Sequence, residues 1–177
     1  MADKKPLKRD GGITTEFGTG DTLPVANGGT GYTALPIAGN TKSSTQSVTS
    51  STTPVNCTNI SFPIGANETW NWELNFRASA GASGGLKWLF TLPSGATGNA
   101  TGRGINNITT NFTSVAMTTG KGATTAIAGA TDVLRLYGTV VSSSTAGTVQ
   151  FQFAQNASNG TSTTIYENST ITAWRIA

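Results

Sequence analysis

Two glutamates near the middle of the chain are the first candidates for catalysis, because a pair of carboxyl groups can hydrolyse a glycosidic bond. Glu68 and Glu73 flank the sequence Thr-Trp-Asn-Trp. Hydrolysis by such a pair requires both carboxyl groups to face one substrate. The residues between them alternate as in a β-strand, and a separation of five residues places two side chains on opposite faces of a strand. We therefore do not expect these glutamates to form a hydrolase site.

The sequence also lacks the residues that nucleophilic catalysis, metal binding and phosphate binding usually require. The chain has no histidine, which is the commonest general base and a frequent metal ligand. Cys57 is the only cysteine, so it cannot form a disulfide within the chain, and no histidine is present to generate its thiolate. Gly120-Lys121 is followed by Gly122 instead of the Ser or Thr of a phosphate-binding loop. We expect neither enzymatic activity nor a cofactor, and we interpret Cys57 as a small buried side chain.

The aromatic residues offer a third kind of chemistry, since flat rings can stack on the apolar face of a sugar. Five large rings fall at the inward positions of predicted strands, and these are Trp70, Trp72, Phe76, Trp88 and Phe90. Near the C-terminus, Trp174 alternates with Thr172 and Ile176. Core packing is the commoner use of large apolar side chains in such positions. We therefore predict that all these rings, Trp174 included, belong to a core.

Alternation of apolar and polar residues is the clearest structural signal in the chain. Thr69–Ala78 and Leu86–Leu92 both place large apolar side chains at every second position. In Thr148–Gln155 three apolar residues alternate with glutamines, and we assign Gln155 to the polar side and to the end of the strand. The remaining candidate strands are Gln46–Thr49, Val55–Phe62, Ile105–Thr118, Asp132–Val141, Thr163–Glu167 and Ser169–Ile176. No window of a dozen residues shows the spacing and caps of a helix.

These eight or nine short strands predict the fold class. Short strands separated by Gly- and Ser-rich turns are typical of an all-β, antiparallel β-sandwich or jelly roll. We assign this domain to residues 36–177. A domain of about 140 residues buries roughly two thirds of the surface that its unfolded chain exposes, which is enough for it to fold alone.

Composition and charge exclude several other classes of protein. Only 11% of the 177 residues are charged, against roughly 25% in an average soluble protein. No apolar run approaches the roughly 20 residues of a membrane-spanning helix, and the charged N-terminus leads into no signal peptide. The net charge is +3, and residues 1–10 alone contain four basic and two acidic residues. The chain is therefore a nearly neutral body with a basic tip.

Residues 1–35 predict an extended, glycine-rich anchoring arm. Single apolar residues alternate irregularly with glycines, so this segment cannot bury its own apolar groups and needs another surface. The candidate docking residues are Lys4, Lys5, Lys8, Arg9, Ile13, Phe17, Leu23 and Val25. Four basic residues are few for a nucleic-acid footprint. We therefore favour docking to a protein over binding to nucleic acid.

Several segments of the chain resemble a known family. Lys8–Ile13, Gly20–Pro24 and Asn27–Gly31 resemble the leader of small bacteriophage fibre and decoration proteins, whose GGTG segment is present here. The body resembles the β domain at the ends of phage virion proteins, and the matching stretches are Trp70–Phe76, Leu86–Gly95, Gly147–Asn156 and Thr170–Ile176. Together these stretches cover the arm and about half of the body. The GGTG segment occurs in both head and tail fibres, so the leader is moderately specific.

The resemblance implies a non-enzymatic, jelly-roll-like homotrimer on the virion surface. It implies the major capsid protein, or another virion protein, as the partner of the arm. A leader joined directly to one compact domain, without a long shaft, favours a capsid decoration or short head-fibre protein. The alternative is a tail fibre or receptor-binding module that recognises host surface glycans. A bacterial surface adhesin is a third hypothesis, disfavoured because no export signal is present.

Overall fold

The structure is a computed structural model that describes residues 7–10, 13–16, 37–104, 112–117, 122–125 and 131–177. These residues form strands and turns, with no helix among them. The strands are β1 (Leu7–Asp10), β2 (Ile13–Glu16), β3 (Ile37–Thr41), β4 (Gln46–Val48), β5 (Val55–Ile64), β6 (Thr69–Ser79), β7 (Leu86–Thr91), β8 (Thr97–Gly104), β9 (Phe112–Ala116), β10 (Gly122–Thr125), β11 (Thr131–Val141), β12 (Gly147–Gln155), β13 (Thr163–Ile165) and β14 (Thr170–Arg175). The all-β prediction is confirmed.

The strands from β3 to β14 form two antiparallel sheets. The large sheet has the order β3-β14-β6-β11-β8-β9, with β13 paired to both β6 and β4, and the small sheet has the order β10-β7-β12-β5. Without β4, β13 and the inserted pair β8 and β9, eight strands remain. They are β3, β5, β6, β7, β10, β11, β12 and β14. Counted in that order along the chain, they form the large sheet in the order first-eighth-third-sixth and the small sheet in the order second-seventh-fourth-fifth. This is jelly-roll connectivity, and the predicted antiparallel β-sandwich is confirmed.

Aromatic rings from both sheets fill the space between them. The Trp72 ring of β6 lies 4.8 Å, centroid to centroid, from the Phe90 ring of β7. The Phe151 ring of β12 lies 5.3 Å from Phe90 and 5.4 Å from Phe76. Tilted pairs of this kind each contribute about 0.5–1.5 kcal/mol beyond the burial of their area. Five predicted core rings, Trp70, Trp72, Phe76, Trp88 and Phe90, are buried as expected, and so is Cys57.

Gln155 departs from the sequence-based prediction, because it is completely buried and does not face solvent. Its side-chain amide donates to the carbonyl oxygens of Asn159, at 2.9 Å, and Thr161, at 2.7 Å. Its Oε1 accepts hydrogen bonds from the backbone N–H groups of Ser51 and Asn159. A buried amide is tolerated when its hydrogen bonds are satisfied. Gln155 therefore holds together the segment that connects β12 to β13.

Three strands of the body were not predicted from the sequence. They are β3, β8 and β10, whose sequences IAGNT, TGNATGRG and GATT lack large residues in alternation. Of the predicted strand Ile105–Thr118 the structure contains β9, while residues 105–111 and 118 lie outside the described residues. Each unpredicted strand pairs with a partner distant in sequence, β3 with β14, β8 with β11 and β10 with β7.

The chain divides into two units, Met1–Pro36 and Ile37–Ala177. In the first unit β1 pairs antiparallel with β2, so that Leu7 lies opposite Glu16 and Asp10 lies opposite Ile13. Two glycines separate these strands in the sequence, and Gly-Gly is a favoured two-residue hairpin connection. The sequence analysis predicted an extended arm here but not its hairpin.

The central core rings should dominate the stability of the body. Trp72 and Trp88 are each 1% exposed, so Trp72→Ala and Trp88→Ala should each lower the free energy of unfolding by about 3–5 kcal/mol. Trp174→Ala is the matched control, because Trp174 is 38% exposed and its removal leaves no core cavity. Urea titration of the three variants measures the difference. A loss below about 1 kcal/mol at Trp72 or Trp88 would contradict this core.

Candidate functional site

Most exposed apolar side chains lie on the outer face of the large sheet. Among the described residues seven large hydrophobic side chains are exposed, and Val55 of the small sheet is one of them. The other six lie on or beside the outer face of the large sheet, and they are Ile37, Val133, Tyr137, Val141, Trp174 and Ile176. Contiguous apolar surface on a soluble domain marks an interaction site more often than isolated apolar residues do.

The position of Trp174 corrects the sequence analysis, which assigned this ring to the core. The inward positions of β14 are held by Ile171 and Ala173, both buried. Ala173 pairs with Trp72, so a small side chain occupies the core position beside the Trp72 ring. Trp174 therefore faces outward, where it is 38% exposed.

A cleft of about 540 Å³ opens on this outer face, and we call it the outer cleft. Its lining residues come from four neighbouring strands, and they are Asn71, Trp72, Glu73, Asn99, Thr101, Arg135, Tyr137, Gly138, Thr139 and Trp174. Trp174 of β14 pairs with Asn71 of β6, and Tyr137 of β11 pairs with Glu73 of β6. Since neighbouring strands lie about 4.8 Å apart, the strands that carry the two rings are separated by about 10 Å. Asn71 and Glu73 occupy the strand between them.

Hydrogen bonds fix two amide side chains in the outer cleft. The Thr139 hydroxyl donates to Oδ1 of Asn71 at 2.8 Å, and the backbone N–H of Thr139 donates to Oδ1 of Asn99 at 3.3 Å. Each amide oxygen therefore accepts one hydrogen bond, which orients its side chain. Among the described residues no acceptor is bonded to the NH₂ groups of Asn71 and Asn99, and an amide NH₂ group can donate two hydrogen bonds.

A glycine makes this arrangement possible. A Cβ atom on Gly138 would lie 1.9 Å from the carbonyl oxygen of Asn99, which is closer than any side chain allows. Gly138 therefore permits β8 to approach β11 closely, and this approach brings the Asn99 side chain to the backbone of Thr139.

An ion pair crosses the other part of the outer cleft. Arg135 pairs with Oε2 of Glu73, and the Asn75 amide donates to Oε1 of Glu73 at 2.7 Å. Burial alone would raise the pKa of Glu73, but the hydrogen bonds from Asn75 and Arg135 and the arginine charge hold that pKa below its ordinary value. Glu73 is therefore a fixed carboxylate, a hydrogen-bond acceptor and not a proton donor.

Glu68 belongs to a different cluster, at the turn between β5 and β6. Its carboxylate accepts hydrogen bonds from the Gly65 N–H at 2.6 Å and the Trp70 indole at 2.8 Å, and it pairs with Arg175 at 2.6 Å. Burial would raise the pKa of Glu68, but the bonds from Trp70, Arg175 and Gly65 together lower it. Glu68 precedes β6 and does not lie within it, and its partners differ from those of Glu73. The two glutamates do not share a site.

The predicted docking residues lie in the first unit of the chain. Lys8 and Arg9 belong to β1, where they pair with Thr15 and Thr14, and Ile13 belongs to β2. Lys4, Lys5, Phe17, Leu23 and Val25 lie outside the described residues. Their docking role stays a prediction.

The described part of the chain holds neither a metal-binding cluster nor a membrane-spanning helix. There, no group of three or more His, Cys, Asp or Glu side chains could hold a metal ion. No helix in that part of the chain is long and apolar enough to cross a membrane.

Comparisons with known proteins do not identify a family or a function for this chain. No protein-family model and no curated protein matches the chain. A solved structure of infectious bursal disease virus, Gx strain, is 10% identical with a TM-score of 0.22, covering 98% of this chain and 46% of that chain. The corresponding structure of the Gt strain is 14% identical with a TM-score of 0.17, covering 78% and 38%. The chain thus spans less than half of either protein, and scores this low carry no functional conclusion.

Glu68 and Glu73 determine how stability should vary with pH. Both have a lower pKa in the folded chain than in the unfolded chain. Their stabilisation is therefore complete above the unfolded pKa, near 4.5, and is lost as the pH falls through the folded pKa. Burial raises the pKa of Cys57 to about 11, so its thiol stays protonated at neutral pH. With no histidine in the chain, stability should be nearly constant between about pH 5.5 and 8 and should fall below about pH 4.5.

Thermal unfolding in matched salt at about pH 3.5, 5.5, 6.5 and 7.5 measures this dependence. Glu68→Gln should flatten the fall in acid, because the amide carries no titrating proton. Midpoints that move by more than a few degrees between about pH 5.5 and 7.5 would contradict this assignment.

Proposed function

We propose that this protein is a non-enzymatic structural component of a bacteriophage virion, a capsid decoration or short head-fibre protein. Residues 1–35 anchor it to the major capsid protein or another virion protein, and residues 36–177 are displayed on the particle surface. The protein is made in the host cytoplasm and assembles as a homotrimer.

The observation that carries this proposal is a glycine-rich leader, which resembles those of small phage fibre and decoration proteins, followed in the chain by a jelly-roll body. The leader contains Asn27–Gly31 with its GGTG segment. The body has the strand order of a jelly roll, an architecture used by viral capsid and lectin domains. The step from fold to function is an analogy, since one fold hosts many functions. The resemblance of the leader to phage leaders favours a virion component among the functions that a jelly roll can have.

The chemistry of the body supports a structural role. The two carboxylates that could have formed a hydrolytic pair are each engaged by different partners, Glu68 by Arg175 and Glu73 by Arg135. A closed symmetric homo-oligomer, such as the expected trimer, is the common form of soluble assemblies. Its mass in solution is measurable by light scattering.

Removal of the arm should separate folding from docking. Deletion of residues 1–31 should leave the thermal midpoint of the body within a few degrees of the full chain, because every core residue that the structure describes lies beyond Pro36. The same deletion should abolish binding to particles that lack the protein, measured by co-sedimentation. A variant with residues 1–31 replaced by a Gly/Ser linker of equal length is the control and should also fail to bind. Normal occupancy by the truncated chain would refute the anchoring role.

A second candidate function is a tail fibre or receptor-binding module for host surface glycans. The outer cleft favours it, since two exposed rings flank polar side chains there. Location and copy number separate the two functions. Immunogold labelling should cover the capsid for a decoration protein, and should be confined to the tail for a receptor-binding module.

A further inference from the structure

The outer cleft combines exposed aromatic rings with hydrogen-bonding side chains. Trp174 is the exposed indole among the four tryptophans, since Trp70, Trp72 and Trp88 are buried. Tyr137, also exposed, stands across β6 from it. Between the rings lie side chains that both donate and accept hydrogen bonds. We infer that the outer cleft binds a short, uncharged saccharide, with Trp174 as the stacking platform. This site goes beyond the proposed structural role and names the ligand class and residues for the second candidate function.

The Trp174 ring supplies the apolar part of such a site. The C–H groups on one face of a pyranose carry partial positive charge, and they match the negative face of an aromatic ring. β14 is paired on both sides, with β3 and with β6, so the backbone that carries this ring is held in the interior of the sheet. A ring on a rigid strand loses little freedom when a ligand binds.

The floor of the outer cleft supplies the polar part. Sugar hydroxyls donate and accept hydrogen bonds, so a saccharide site needs both kinds of partner. The NH₂ groups of Asn71 and Asn99 are donors, and the carboxylate of Glu73 is an acceptor. Thr139, Asn75 and Arg135 hold these groups in place before a ligand arrives. Such preorganisation reduces the entropy that binding costs.

Charge and size select the class of ligand. Arg135 is already paired with Glu73, so the described part of the cleft presents no unpaired cation for a phosphate or sulfate. The volume of about 540 Å³ lies within the range of roughly 300–1,000 Å³ that small-molecule sites occupy. An uncharged saccharide with more than one hydroxyl-bearing ring fits both constraints better than a small anion.

A second copy of the chain is the competing occupant of this face. The core of an interface between copies is apolar and depleted of charged residues. Here the centre of the face holds an ion pair and two asparagines, and the apolar residues Ile37, Val133, Val141 and Ile176 lie at its margins. That distribution favours a polar ligand at the centre.

Binding at a single open cleft is expected to be weak, and display in many copies would strengthen it. Several sites on one particle raise the effective concentration of the next binding event. This gain rests on the proposed function, whereas binding by the isolated protein does not. The two proposals can therefore fail separately.

The test starts with the purified full chain on a printed panel of uncharged and N-acetylated di- to tetrasaccharides of glucose, galactose, mannose and N-acetylglucosamine. The strongest binder is then titrated while tryptophan fluorescence is followed. Wild type should show a saturable change, because Trp174 is the exposed indole. Trp174→Ala should weaken binding by about tenfold or more, as expected when a central aromatic anchor is truncated. Trp174→Phe should retain most of the binding measured by calorimetry but lose the fluorescence change.

Two controls separate a saccharide site from other uses of the face. Val133→Ala, an exposed position on the same sheet outside the outer cleft, should bind as wild type does. Light scattering should give the same mass for wild type, Trp174→Ala and Tyr137→Ala. Binding lost in Trp174→Ala at unchanged mass supports the site. No binding across the panel, binding unaffected by Trp174→Ala, or a lower mass in either variant would overturn it, the last by assigning the face to contact between copies.

Discussion

The alternation of side chains along β6 is the constraint on which both the core and the candidate site depend. Trp72, Leu74 and Phe76 point into the sandwich and are fully buried or nearly so, while Asn71 and Glu73 point out into the cleft. Because the period of a strand is two, a shift of one residue would exchange the two sets. Burial of the rings thereby fixes the outward position of the polar groups. The energy that stabilises the body also positions the site.

The core residues can be predicted from the sequence more reliably than the residues of the outer cleft, because the two depend on different kinds of information. Alternation is a local property, so TWNWELNFRA alone predicts that Trp70 and Trp72 are buried and that Asn71 and Glu73 face outward. The outer cleft, in contrast, requires β14, β6, β11 and β8 to lie side by side. Strand order depends on contacts between segments far apart in sequence, and no local pattern encodes it. Tyr137 and Asn99 were therefore not recognised as members of a site.

The wrong predictions have the same origin. The alternation of Trp174 with Thr172 and Ile176 predicts a core position, but Ile171 and Ala173 hold the inward positions of β14 and Trp174 faces outward. Gln155 was assigned to the surface by its polarity, but a local hydrogen-bond network satisfies its buried amide. Strand β8 has no apolar alternation and exists through its pairing with β11, where Gly138 allows the close approach. In each case the surroundings outweigh the intrinsic preference of the residue.

Under the proposed function residues 1–35 contact the particle, and a saccharide-binding outer cleft faces the medium. One image reconstruction of the intact virion by electron cryo-microscopy tests this central claim most directly, since it shows both ends of the chain together. The account predicts continuous density from the N-terminal arm to a capsid subunit, with Trp174 on a solvent-facing surface of the projecting domain. Density that buries the large sheet against the capsid, with the arm directed outward, would contradict it.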